Sequence, residues 1–336
     1  MTAPEQDTAL ERNTLHFINM IAYGSSSRVH SRRLRDVTGI DLPPSDIRLV
    51  ECLAGREPLP LSAVASELGI DLAQASRQAT ALEALGHVVR ATDPADRRRT
   101  LVCLSPATAA LMDRWLLDWS SGYADALGDW SPDDLAQLTR WFDHVLVRLQ
   151  EALPGRTSST LPARWQHLVR EDKHSVAQQR FLGSLVALVS WAGQSGGFND
   201  ILEELDAPIR QHAYFTLRMV SRHGPISIAE VAERMAIDPS QASKRLRQLT
   251  ELGLVDRAVD TFDRRSSRVR ASRKGAALER KVRDWQLRTT VALLGPITAK
   301  NRRSWGSLME QFMQRLDEAA ERSDRWAGLT TGAVSR

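Results

Sequence analysis

The sequence is poor in the features that mark secreted proteins, membrane proteins and enzymes. It holds 2 cysteines in 336 residues, Cys52 and Cys103, in different contexts. They do not make a disulfide framework. Cys52 reads as a small buried apolar residue and Cys103 falls on a predicted strand. No apolar run approaches the length of a bilayer span, and the N-terminus, MTAPEQDTALER, lacks the basic-then-apolar pattern of a secretion signal. The expected location is the cytoplasm, with no membrane partner. Glycine-rich phosphate loops, metal-ligand spacings and nucleophile–base patterns are missing too. The eight histidines are scattered, and the nearest pair is His167 and His174. Acidic pairs such as Asp133-Asp134 and Glu203-Glu204 read as helix-start charges or solvated faces. No catalytic residue, metal or cofactor is therefore assigned, and an enzyme is not expected. The net charge is only +4, so local arginine clusters say more than the total.

What the chain has instead is an internal repeat. An offset of 167 residues carries Ser76 onto Ser243 and lays Leu61–Thr108 on Ile228–Gly275 without a gap. Gln74-Ala75-Ser76 falls on Gln241-Ala242-Ser243, Leu85-Gly86 on Leu252-Gly253, and Asp96-Arg97-Arg98 on Asp263-Arg264-Arg265. The same offset holds near the end of each half, where Arg148-Leu149 meets Arg315-Leu316. Such a repeat outranks other signals of fold. The expected organisation is a first domain at 1–153, a linker at 154–174 and a second domain at 175–336. Each half is large enough for its own core.

Residues 8–37 read as one long helix with a basic far end, which Gly24 and the serines after it could bend. Pro43-Pro44-Ser45 opens a short helix through Leu53, and Gly55–Pro60 reads as a loop. Ser62–Leu68 is a helix stopped by Gly69, and Asp71 caps the next. The second copy shows two starts in succession, Ser227 with Glu230 and Asp238-Pro239 with Gln241. Two short helices joined by a tight turn make a helix-turn-helix. Val88–Ala91 with Thr100–Leu104, and Val255–Val259 with Ser267–Ala271, then read as hairpins. Long helices follow at 109–127, 133–153, 276–294 and 298–322. Leu153–Ser175 holds Pro154-Gly155 and Pro162 and reads as the linker, although Trp165 and Leu168 suggest a helical or docked part.

On the second helix of each motif, Ala75, Ala79 and Leu82, and Ala242, Leu246 and Leu249, form the inward face. The opposite face carries Gln74, Ser76, Arg77 and Thr80 in one copy and Gln241, Ser243, Lys244 and Arg247 in the other. It holds no acid until Glu83 or Glu251. These donors suit base edges and phosphates in a major groove. A solvated helix face is the plainer alternative, and the duplication, with an arginine-tipped hairpin each time, favours DNA. Arg97, Arg98 and Arg99, and Arg264 and Arg265, are the candidates for a minor groove. Asp96 and Asp263 are expected to pair with Arg98 and Arg265 to shape the turns. Trp115, Trp119, Trp141, Trp191, Trp285 and Trp305 could line an aromatic pocket or simply pack helix on helix.

These features resemble the MarR family of bacterial winged-helix regulators. The residues that carry the resemblance are the two helix-turn-helices (Leu61–Gly86 and Ile228–Gly253), the Asp-x-Arg wings (Asp96–Arg98 and Asp263–Arg265), and the return strands that lead into Ser105 and Ser272. The first copy departs from the pattern at Thr108, where the second has Gly275, and at His87, where an apolar residue is usual. The resemblance implies a mainly α fold with small β-hairpins: two tandem winged helix-turn-helix domains whose long flanking helices form an intramolecular pseudo-dimer. It implies a sequence-specific regulator of transcription, a repressor, bound to a double-stranded DNA operator. It also implies a small aromatic or phenolic effector, with His16, Tyr23, Arg28, Trp115 and Trp191 as candidate lining residues. An architectural protein that coats or bridges DNA without an effector is the alternative. Further self-association of the pseudo-dimer stays open.

Overall fold

The structure is a computed structural model and describes residues 8–24, 28–152, 163–171, 175–192, 196–235, 237–259 and 267–322. The first stretch of elements is α1 (Ala9–Gly24), α2 (Arg28–Thr38), α3 (Pro44–Leu53), β1 (Leu59–Pro60), α4 (Leu61–Leu68), α5 (Leu72–Ala84), β2 (Val88–Thr92), β3 (Thr100–Leu104), α6 (Pro106–Ala126), α7 (Pro132–Ala152) and α8 (Ala163–Glu171). The second is α9 (Val176–Ala192), α10 (Gly196–Glu204), α11 (Gln211–His223), β4 (Ile226–Ser227), α12 (Ile228–Arg234), α13 (Pro239–Glu251), β5 (Val255–Val259), β6 (Ser267–Ala271), α14 (Arg273–Leu294) and α15 (Ala299–Arg322).

The chain forms two compact units, and their bounds do not follow the repeat. One, called here the first-repeat unit, is His30–Gly196 with Thr298–Arg315; the other, the second-repeat unit, is Met1–Val29, Gly197–Ile297 and Leu316–Arg336. The N-terminal helix α1 thus belongs with the second winged helix. There it packs on α14, and the Gln286 side-chain amide donates to the Asn19 Oδ1 at 3.3 Å in a buried contact. Three expectations need correction. The stretch 8–37 is two helices assigned largely to different units, with 25–27 outside the described residues. The loop expected at Gly55–Pro60 ends in a strand, because the Leu59–Pro60 pair closes the edge of a sheet. Helix α11 was not read from the sequence at all; it is buried on nearly every side, Gln211, Thr216 and Arg218 included, so no stripe of apolar against polar positions marks it.

Each winged helix has the same build. The sheets run β1-β3-β2 and β4-β6-β5, all antiparallel, with Thr92 opposite Thr100 at one hairpin end and Val259 opposite Ser267 at the other. Equivalent apolar residues fill the two cores: Val64 and Val231, Leu82 and Leu249, and Val102 and Val269 are all fully buried. The helix starts follow from local chemistry. Asp71 and Asp238 each accept the backbone amide three residues on, at 2.7 Å, and Ser227 with Glu230 forms a complete capping box.

The departures at His87 and Thr108 prove to be one change. In the second repeat, a Cβ on Gly275 would stand 2.0 Å from the Leu254 carbonyl oxygen, so only glycine fits. In the first repeat, the His87 Nδ1 and the Thr108 hydroxyl are hydrogen-bonded at 3.1 Å, and Ser105 donates to the same hydroxyl at 3.1 Å. A polar pair replaces leucine and glycine at one joint.

The helical part of the first-repeat unit is an aromatic core. Phe142, Phe181 and Phe312 meet at centroid distances of 5.6 to 5.9 Å, and Trp141 lies 5.3 Å from Trp305. Trp141 is fully buried. For Trp141 and Trp305 the packing alternative is the one observed. Trp285, in the second-repeat unit, donates to Glu204 at 3.3 Å and is half exposed.

Candidate nucleic-acid interface and effector residues

Helix α5 turns Ala75, Ala79 and Leu82 inward and leaves Arg77 and Thr80 exposed, with Gln74 and Ser76 half-buried. Helix α13 does the same: Ala242, Leu246 and Leu249 are buried, Gln241, Lys244 and Arg247 exposed, Ser243 half-buried. The candidate side chains are therefore gathered along one outward face in each copy. Arg90 was not singled out from the sequence, yet it reaches from β2 onto this face. Its guanidinium donates to the Thr80 hydroxyl at 2.7 Å and lies 3.8 Å from the Glu83 carboxylate. The second repeat carries Arg257 and Arg247 at the places of Arg90 and Thr80, and both are exposed. Two cations there replace a tethered one.

The first wing is built by its backbone. Asp93 donates its amide to the Arg99 carbonyl at 3.0 Å and accepts the Ala95 amide at 2.8 Å; the Arg99 amide donates to the Asp96 carbonyl at 2.9 Å. The expected Asp96–Arg98 ion pair is corrected. The Asp96 carboxylate accepts the Arg98 backbone amide at 3.0 Å, because the turn brings that amide to it and sends the side chain out. Arg97, Arg98 and Arg99 are all exposed. The second wing's Asp263, Arg264 and Arg265 lie outside the described residues.

Of the candidate effector residues, the side chains of Tyr23, Arg28 and Trp191 lie outside the described ones. Trp115, in the first-repeat unit, is buried, with His30 edge-on at 5.3 Å and the Arg33 guanidinium 6.0 Å from its ring centre. His30 also bonds Glu51 at 2.6 Å. Burial alone would lower the His30 pKa; the Glu51 carboxylate, by charge and hydrogen bond, outweighs burial and Arg33 and raises it.

His16 sits in the second-repeat unit, among cations the sequence did not mark. Burial first, then the charges of Arg218 and Arg222, push its pKa down to about 3, so its ring is neutral at pH 7. Arg218 is 5% exposed, and its Nε has no hydrogen-bond partner. Burial, followed by the neighbouring Arg218, holds the Arg222 pKa below its ordinary value. The acid of this cluster, Glu279, is 4% exposed and pairs with Arg283 at 3.2 Å. The signal that could have found the cluster is an arginine at i and i+4 on one helix.

The described residues hold no cluster of three or more potential metal ligands, and no described helix is long and apolar enough to cross a membrane. A sequence model of the MarR family matches residues 40–99 and again 209–266. The chain carries two MarR-family domains in tandem. Each match spans the helix-turn-helix and the first wing strand of one of the winged helices just described, so the chain is a winged-helix DNA-binding regulator of transcription. No curated protein matches the chain. Several solved MarR-family structures are similar to parts of it. Staphylococcus aureus MarR in complex with salicylate and kanamycin is 23% identical, with a TM-score of 0.33, over 42% of this chain and 92% of that one. A Mycobacterium tuberculosis MarR family protein in complex with salicylic acid is 24% identical, with a TM-score of 0.30, over 41% and 96%. Streptococcus pneumoniae FabT in complex with DNA is 16% identical, with a TM-score of 0.31, over 36% and 90%.

Proposed function

We propose that this MarR-family chain is a sequence-specific repressor that binds a duplex operator as a single-chain pseudo-dimer. Helices α5 and α13 enter major grooves, and Arg97–Arg99 with Arg264 and Arg265 approach minor grooves. The observation that carries the reading is the pair of outward, acid-free faces, Gln74, Ser76, Arg77 and Thr80 on one helix and Gln241, Ser243, Lys244 and Arg247 on the other. Because the faces differ, the operator is an imperfect palindrome. Selection of bound genomic fragments, followed by footprinting, tests this. One chain protecting about two helical turns supports it. Weak, sequence-blind binding dominated by salt would favour the architectural alternative.

A small aromatic carboxylate is the effector class best matched to the chain. The support is Arg218, buried with an unpartnered Nε beside neutral His16 and Arg222. Salicylate, the compound bound by two of the similar proteins, is the probe. It should release the operator from the parent protein, and Arg218→Ala should need far more of it. Equal sensitivity of the two proteins would remove Arg218 from the effector site.

A further inference from the structure

The linker between the repeats contributes helix α8, whose docking none of the preceding roles uses. Arg164 grips both carboxylate oxygens of Asp113 on α6, its Nε at 2.9 and 3.1 Å. Its neighbour Trp165 is 8% exposed and lies flat on the backbone of Gly55. A Cβ at Gly55 would stand 2.8 Å from the indole Nε1 and 2.9 Å from Cδ1 and Cε2. The indole N–H is buried without a hydrogen-bond partner. Gly55, at φ +71°, follows the Ala54 cap of α3, and the next residue, Arg56, pairs with Glu67 on α4 at 2.7 Å. The ring thus sits at the joint between α3 and the helix-turn-helix, while the adjacent arginine ties the same helix to α6.

The second repeat is built otherwise. The offset of 167 puts Arg222 at the place of Gly55 and Arg280 at the place of Asp113. Arg222 lies within α11, which runs on to His223, so the left-handed glycine turn under the indole has no counterpart there, and a cation stands where Arg164 would seek a carboxylate. There α11 packs directly on α14.

We infer that the first-repeat unit contains a site for a flat bicyclic aromatic and that the chain fills it itself. Trp165 is a built-in occupant that fixes the joint of the first winged helix on α6. A soluble effector then acts through the second-repeat unit alone. The unsatisfied N–H marks the occupant as held by apolar contact and by the Arg164–Asp113 fork rather than by a polar lock. Removing the ring lets the joint sample other angles, which lowers the population competent for DNA. This last step rests on the reading of the chain as a DNA-binding regulator.

The test is Trp165→Ala with free indole as the probe. The variant should melt several degrees below the parent, and millimolar indole should raise its melting temperature saturably while leaving that of the parent unchanged, as a small aromatic does in an apolar void of matching shape. Operator affinity, read by fluorescence anisotropy, should fall about tenfold in the variant and return with indole. Indole that fails to raise the melting temperature overturns the occupant site. Restored melting with operator affinity equal to the parent's overturns the fixing role and leaves Trp165 structural. A parent that binds no selected DNA sinks the repressor reading, while the indole melting shift still decides the site. Trp165→Phe keeps most of the apolar bulk and serves if the alanine variant does not fold. It should lie between the two in melting and in affinity, and equality with the parent in both overturns the proposal.

Discussion

The two repeats share a core and differ at their joints. Both bury the same valines and leucines, and both cap their second helix with aspartate. At the joint between the wing strands and the long helix, the second repeat uses Leu254 against Gly275, a backbone contact with no room to spare. The first uses the hydrogen-bonded pair of His87 and Thr108. Ahead of the helix-turn-helix, the second has neutral His16 beside the buried Arg218 and the half-buried Arg222, and the first has Trp165 on Gly55. The lesson is that duplication preserved the apolar frame and let the connections between its parts diverge. Sensitivity to mutation should follow the connections, not the shared core pattern.

The largest effect is expected at Gly275. Gly275→Ala sets a methyl group against the Leu254 carbonyl and should cost about 3 kcal/mol, the upper part of the overpacking range. Thr108→Ala, at the matching place, loses hydrogen bonds and leaves no clash, so it should cost about 1 kcal/mol. Denaturant unfolding followed by hydrogen exchange in each unit separates the two. Equal costs would mean that the backbone at Leu254 relaxes and that the joints are equivalent after all.

The recognition faces come next. Arg77→Ala and Lys244→Ala should each weaken operator binding by about 1 to 3 kcal/mol if the side chain meets a base. The losses should map to different half-sites. Thr80→Arg sharpens the comparison, because it gives the first face the cation of the second and removes the hydroxyl that tethers Arg90. Its selected site should become more symmetric. An unchanged site would show that residue 80 reads no sequence.

How much of this was legible in the sequence depends on the range of the pattern. The helix-turn-helix, its caps and its outward face are local, and they stand where the spacing of Asp71 and Gln74 or Asp238 and Gln241 put them. The repeat made the reading firm. The wing's arginines were legible as exposed, but the partner of Asp96 was not, since the choice between a guanidinium and an amide is made by backbone geometry. The joints were illegible for a different reason. Trp165 meets Gly55 across more than half of the first repeat, and His16 feels the charge of Arg218 from the other repeat. No spacing announces such pairs. His87 and Thr108 were each noticed as departures, yet only the fold shows that they answer one another.

Acid should then tell the units apart. His16 has a folded pKa near 3, below the ordinary value of 6.5. The unfolded chain therefore binds a proton that the fold excludes, and stability falls as pH drops through 6.5, by about 2 kcal/mol at pH 5. His30 has the opposite sign. Its folded pKa is raised, so its contribution is complete below 6.5 and is lost as pH rises through the raised value. Hydrogen exchange at pH 5 and pH 7 should show the second-repeat unit loosening in acid while the first holds. His16→Phe should remove the acid loss in the second-repeat unit. A loss of the same size in both units would assign acid sensitivity to surface carboxylates instead.

The smallest effect, and the sharpest test of the comparison, is a coupling. His87 and Thr108 are bonded at 3.1 Å, and Ser105 shares the threonine hydroxyl. Converting the joint to that of the second repeat takes two changes, His87→Leu and Thr108→Gly. Alone, the leucine leaves the Thr108 hydroxyl one partner short, and the glycine leaves the half-buried His87 ring facing a void. Each should cost about 1 kcal/mol. Together they remove both partners of the hydrogen bond and leave neither of the two unsatisfied, so the double variant should be more stable than the sum of the singles by about 1 kcal/mol. Strictly additive costs would mean that the two departures arose independently and that the hydrogen bond between them contributes nothing to the joint.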